Sequence, residues 1–281
     1  MRYADYDYEN EFDKSLDHAD SEQIEKLLSV GKIKSVYITK TIKAGDQFEV
    51  EIYPAFTRKE IDKHKIKKKN YQAQKNLNDK NARKRVERLI NTNFNDGDLW
   101  VTLTYDKEHL PHSMDEALKN MKNYIRRINY YRKKQGLDKA KYIYVTEFSE
   151  NKKIRCHHHL IMDGGLTMDL VENLWTCGKR NNVRKVSKDD EGLTGLAGYL
   201  VKDPSGKKRW CSSINLKKPL ESKSYTAFPS SKVRKMVEDE TKIKEMLEKR
   251  YKREFIRAEI KFNEFNKRFY IYSRMKQRCN Q

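Results

Sequence analysis

The chain has 281 residues with 61 Lys+Arg against 41 Asp+Glu, which gives a net charge of +20, a pI near 9.6 and a mean hydropathy of −1.01. That excess predicts an anionic partner, and no apolar run approaches the ~20 residues of a membrane span, so a membrane partner is excluded. Cys156, Cys177, Cys211 and Cys279 form no C-x-x-C pair, which excludes a zinc ribbon or disulfide framework. The acidic, tyrosine-rich start does not read as a secretory signal, and the expectation is a cytoplasmic protein.

Residues 1–30 hold nine acidic and three basic side chains, so this segment reads as an acidic tail and the remainder carries +26. Within 31–95, Val36–Thr41 and Phe48–Tyr53 flank Ala44-Gly45-Asp46 and read as a hairpin. From Arg58 to about Leu89 a polar helix carries a row of Lys and Arg, either a solvated face or a phosphate-tracking arm. Residues 96–204 are patterned more sharply. Leu99–Tyr105, rich in β-branched and aromatic residues, predicts a buried strand. Ser113-x-x-Glu116 predicts a helix start, Leu118, Met121, Ile125 and Ile128 its apolar face, and Gly136 its end; Arg126, Arg127 and Arg132 belong to the other face. Tyr142–Phe148 and Arg155–Met162 read as a hairpin about the polar Ser149–Lys153 turn. Thr167 caps a short helix, Met168–Trp175, and a basic loop through Lys179, Arg180, Arg184 and Lys185 leads to a helix with Leu193, Leu196, Ala197 and Leu200 on one face. Residues 205–281 form an extension with a charged helix, about Ser231–Arg253, and an aromatic β-like run, Phe269–Ser273. Every sheet connection is short or antiparallel, so the fold class is α+β with an antiparallel sheet.

Alternation along Cys156-His157-His158-His159-Leu160 sends His157 and His159 to one face, about 6–7 Å apart, and His158 to the other. Such a pair suits a metal, while the run alone also fits surface or stacking histidines. A turn centred near Asn151–Lys152 puts Glu147 across from His157, completing a set of two imidazoles and one carboxylate. With a phosphodiester as substrate that set favours Mg²⁺ or Mn²⁺. In Gly195-Leu196-Ala197-Gly198-Tyr199-Leu200-Val201-Lys202 the leucines face the core, and Gly195, Gly198, Tyr199 and Lys202 share the other side. A phenol of pKa about 10 is a weak nucleophile unless cations stabilise its phenolate, which Lys202 and a metal would do.

Taken in order, Thr102-Leu103-Thr104-Tyr105, His157-His158-His159 and Tyr199-x-x-Lys202 resemble the three motifs of HUH endonucleases, specifically the single-tyrosine Rep branch of rolling-circle replication initiators. His158 departs from the family pattern, which has a hydrophobic or aromatic residue there. The resemblance implies His157 and His159 as metal ligands with Glu147 as the third, Tyr199 as nucleophile and Lys202 as its electrostatic helper. It also implies a sheet of about five antiparallel strands with flanking helices, carrying helical extensions at both ends. The expected activity is nicking and joining of single-stranded DNA through a 5′-phosphotyrosine, with a host helicase and polymerase as partners in a bacterial cell. The sequence has no G-x-x-x-x-G-K-[ST], so no ATPase is expected. Two other classes fit the charge: a non-catalytic nucleic-acid-binding protein and a nuclease that uses water.

Overall fold

Two antiparallel sheets account for the main strands, one in each of two units, residues 1–80 with 219–281 and residues 81–218. The computed structural model describes residues 3–4, 14–15, 36–57, 71–149, 155–200, 210–263 and 267–278. In chain order these are β1 (Tyr3–Ala4), β2 (Lys14–Ser15), β3 (Val36–Ala44), β4 (Gln47–Thr57), α1 (Tyr71–Asn93), β5 (Leu99–Thr104), α2 (Met114–Lys134), β6 (Tyr142–Glu147), β7 (His157–Met162), α3 (Met168–Asn173), β8 (Asn182–Lys185), α4 (Thr194–Leu200), β9 (Cys211–Ser212), β10 (Leu220–Ser224), α5 (Ser230–Glu238), α6 (Glu240–Tyr251), β11 (Glu254–Asn263) and β12 (Arg268–Lys276). The expected α+β class with an antiparallel sheet and flanking helices is what the chain adopts. Most of the acidic tail, residues 58–70 of the basic arm and the turn after Ser149 lie outside the described residues.

In the first unit the strands run β10-β3-β4-β12-β11-β2, with β1 beside β4. The expected hairpin is β3–β4, closed by Gly45 at φ 61. The aromatic run at Phe269–Ser273 is the middle of β12, which pairs with β4 (Ile271 opposite Ile52) and with β11. Val50, Ile52 and Ile271 of the sheet pack against Val233, Met236 and Leu247 of α5 and α6. The single helix expected over Ser231–Arg253 is two: Asp239 is extended (φ −158, ψ 132) and its side chain accepts from Thr241 N–H to start α6. The extensions therefore contain helices, as expected, and a sheet that helical periodicity does not disclose.

In the second unit the order is β8-β5-β7-β6-β9, so the histidine strand β7 is central, between β5 and β6. α2 begins where expected: Ser113 Oγ accepts from Glu116 N–H, while the Glu116 carboxylate accepts from His112 N–H. Its buried face is Ala117, Met121, Tyr124, Ile125 and Ile128, which cover one side of the sheet together with α3. Of the three arginines placed on the far side of this helix, only Arg126 is exposed. Arg132 is buried, with bonds to Asp138 O, Gly164 O and Asp163, and half-buried Arg127 donates to Leu174 O. The opposite side of the sheet is covered by α1 and α4, through Val86, Ile90, Phe94, Leu193, Ala197 and Leu200 packed on Trp100 and Ile161. The described C-terminal part of the basic arm is thus a packing helix rather than a wholly solvated one.

Candidate metal centre and tyrosine helix

Pairing on both edges of β7 sets the site. Across the sheet, Thr104, His157 and Glu147 stand in one register row and Thr102, His159 and Val145 in the next row on that same face. His158 sits between Leu103 and Thr146 and points to the other side, into the core under α2 and α3. It is fully buried, and its ring nitrogens are both bonded: Nε2 lies 2.8 Å from the Tyr105 hydroxyl and Nδ1 2.9 Å from Thr146 Oγ1. Burial, helped by the neighbouring His157 and His159, pushes its pKa down to about 3, so the ring is neutral. Burial likewise holds the Tyr105 hydroxyl well above the usual phenol range, so this tyrosine stays protonated as a hydrogen-bonding group. One hydroxyl donates to the imidazole and the other accepts from it. The residue between the two outward histidines is therefore polar yet satisfied, which explains how a departure from a hydrophobic residue is tolerated there.

On the outward face the imidazoles are oriented from behind. His157 Nδ1 is 2.9 Å from the Arg155 carbonyl, which can only accept, so Nδ1 carries the proton and Nε2 the lone pair. His159 Nδ1 lies 3.2 Å from Thr102 Oγ1. Both Nε2 atoms turn to one carboxylate: His157 Nε2 is 3.4 Å from Glu147 Oε2, and His159 Nε2 is 3.7 Å from Oε1. The imidazole planes are nearly perpendicular, 87° apart at 4.9 Å between centroids, and Trp100 stacks on His159 at 5.7 Å and 23°.

Glu147, His157 and His159 each offer one ligand atom, all within 4.8 Å of one another, the one such group among the described residues. Ligands at about 2.1 Å from a cation and at right angles are about 3 Å apart, so small side-chain rotations bring this set to coordination distance. The donors are two neutral nitrogens and one carboxylate on the sheet surface, a set that fits a divalent cation with positions left for substrate oxygens. His109 and His112 remain exposed loop residues outside the group.

α4 carries Tyr199 to the same face. The Tyr199 ring centroid is 6.4 Å from His159 and 6.1 Å from Trp100, and the residue is 49% exposed. Ala197 and Leu200 hold the helix to the core, and a methyl group at Gly195, one turn before Tyr199, would meet nothing within 4 Å. The outer side of this helix is open to an incoming chain. Lys202 lies outside the described residues.

Composition does not point to the groups that hold α4 in place. Asn91 of α1, almost fully buried, donates from Nδ2 to Thr194 Oγ1 (3.1 Å) and accepts at Oδ1 from Leu193 N–H (2.8 Å), clamping the start of the tyrosine helix. At the other end of β5, Gly178 packs directly on the Thr104 carbonyl, which also accepts from Trp175 Nε1 at 2.6 Å. Around it Thr104 Oγ1 donates to Arg180 O and Thr104 N–H to Asn181 Oδ1, fixing the basic loop beside the His157 row. A lone Asn in a charged helix and a lone Gly in a loop carry no sequence signal of such contacts.

No curated protein and no solved structure matches the chain. Residues 98–206, which hold Glu147, His157, His159 and Tyr199, match the model of a family described as replication-associated protein of the ORF2 type, and in this segment the chain is similar to replication-associated proteins.

Proposed function

We infer that the chain is a rolling-circle replication initiator that nicks and rejoins single-stranded DNA through a 5′-phosphotyrosine on Tyr199. The observation that carries this reading is the meeting of an exposed tyrosine, on a helix with an open outer side, with the Glu147, His157 and His159 group on one sheet face. Both lie inside the segment that matches the replication-associated family.

Glu147, His157 and His159 would hold Mg²⁺ or Mn²⁺, which supplies Lewis-acid stabilisation of charge on the scissile phosphate. The open side of α4 admits the DNA backbone, and Tyr199 Oη attacks phosphorus. The new bond is Tyr199 Oη–P, the bond broken is P–O3′, and the proton lost by the phenol is balanced by the one gained by the departing 3′-oxygen. Lys202 stabilises the phenolate in this scheme. The phosphotyrosine conserves the bond energy, so attack by a 3′-hydroxyl reverses the step and joins ends. A single strand is the substrate because a stacked duplex resists bending its backbone onto a helix-borne side chain. Opening of the duplex and synthesis from the freed 3′ end fall to a host helicase and polymerase, in the cytoplasm of a bacterial cell. None of the described helices is long and apolar enough to cross a membrane.

The test is denaturing electrophoresis after incubation with Mn²⁺ and end-labelled single strands tiled across an origin. Wild type is expected to give a covalent adduct that maps to Tyr199, and Tyr199→Phe to bind DNA without forming one. Nicking that persists in the Phe variant would replace this scheme with a nuclease that uses water.

A further inference from the structure

The second unit has another cationic surface, on the side of the sheet away from the metal group. α2 contains no acidic residue after Glu116, and from Leu118 to Lys134 it carries seven Lys or Arg. Arg127 and Arg132 are committed to internal acceptors, as described above. The other five, Lys119, Lys122, Arg126, Lys133 and Lys134, are exposed, and none forms an ion pair with a described residue. With Tyr130, 55% exposed, the positions 119, 122, 126, 130 and 133 advance by three or four residues and fall in one line. At 1.5 Å per residue that line is about 21 Å long.

We propose that this face of α2 is a second nucleic-acid site, one that binds double-stranded DNA by lying over the major groove. The proposal rests on the nucleic-acid reading above and adds to it a surface for duplex flanking the nicked strand. A helix of about 10–12 Å diameter matches a groove about 12 Å wide. Lys119 and Lys122 at one end and Lys133 and Lys134 at the other reach the two backbones bordering the groove, with Arg126 and Tyr130 over its floor. Single strands are held instead in grooves lined by aromatic platforms. This face is convex, and Tyr130, the aromatic side chain in the line, has the Lys134 ammonium 4.7 Å over its ring. A membrane surface fits less well, because the apolar side of α2 is spent on the core through Met121, Tyr124, Ile125 and Ile128.

The experiment compares the full-length protein with a Lys122→Gln, Arg126→Gln, Lys133→Gln variant. Fluorescence anisotropy is read on a 20-base-pair duplex and on one of its strands between 50 and 200 mM KCl. Three lost phosphate contacts should flatten the slope of log K against log salt for the duplex by about 3 and weaken binding on the order of a hundredfold. Single-strand affinity and adduct formation should change less than about threefold, with an unaltered thermal transition. An unchanged duplex slope would overturn the proposal. So would an equal loss of single-strand binding, or loss of binding to phosphatidylserine vesicles with duplex binding intact. Failure of the nicking assay in wild type would remove the catalytic reading and leave the duplex arm readable.

Discussion

Three consecutive histidines on a central strand should give opposite phenotypes. His158→Ala removes a fully buried imidazole and orphans the Tyr105 and Thr146 hydroxyls that now bond to it. The cavity costs about 2–3 kcal/mol and the lost pairing about 1 kcal/mol for each hydroxyl, so the loss is on the order of 4 kcal/mol. With a urea slope of about 2 kcal/mol/M that lowers the midpoint by about 2 M, while folded protein keeps its Mn²⁺ site. His157→Ala and His159→Ala act on the wet face, where the side chains are 23% and 16% exposed, and should shift the metal-free midpoint by less than about 0.5 M. Each should abolish Mn²⁺ binding by calorimetry, along with the stabilisation that a hundredfold excess over Kd gives wild type, about 2.7 kcal/mol. A His158→Ala protein with wild-type stability and no metal binding would refute the assignment of faces.

Gly178→Ala should be far more damaging than its size suggests, because its methyl carbon would lie 2.2 Å from the Thr104 carbonyl oxygen and 2.8 Å from its carbon, both backbone atoms. A loss of about 2–4 kcal/mol in urea unfolding is expected, and an unaltered midpoint would show that the loop yields freely. Asn91→Leu keeps the volume but unpins Thr194 and Leu193; Tyr199 adduct formation should fall at least tenfold with Mn²⁺ affinity unchanged, and a loss of Mn²⁺ binding would argue against a role confined to α4. Arg132→Met leaves the Gly164 and Asp138 carbonyls and the partly exposed Asp163 without their donor, which should cost about 3 kcal/mol, checked by the same urea series.

Much of the metal face was legible because strand alternation is strict. The side on which each histidine falls follows from its parity, and Glu147 follows from the length of the turn. Elements with little apolar content were not legible. β8 (Asn-Val-Arg-Lys) and the two-residue β9 exist because β5 and β6 offer them free edges. β11 hides behind Arg257, Glu259 and Lys261, and it becomes a strand because β12 pairs along nearly its whole length. In α1 the buried Val86, Ile90 and Phe94 recur every four residues, but Arg83, Lys84, Arg85 and Arg88 among them suggested solvent. Long-range pairing decided these cases, and no local window contains it.

The same parity explains why the metal group keeps its geometry without being buried. A one-residue slip of β7 against β5 and β6 would turn His157 and His159 into the dry core and bring His158, Leu160 and Met162 to the wet face. Leu160 and Met162 are fully buried among the side chains under α2, so the slip would lose apolar burial and two imidazole hydration shells at once. The register is therefore held by the core side of the strand, and the outward side inherits it. Arg155 O and Thr102 then only have to set ring rotation, each through a single contact. Ligand direction at this site is a consequence of core packing on the far side of the sheet, so a destabilised core should loosen the metal centre before it unfolds the strand.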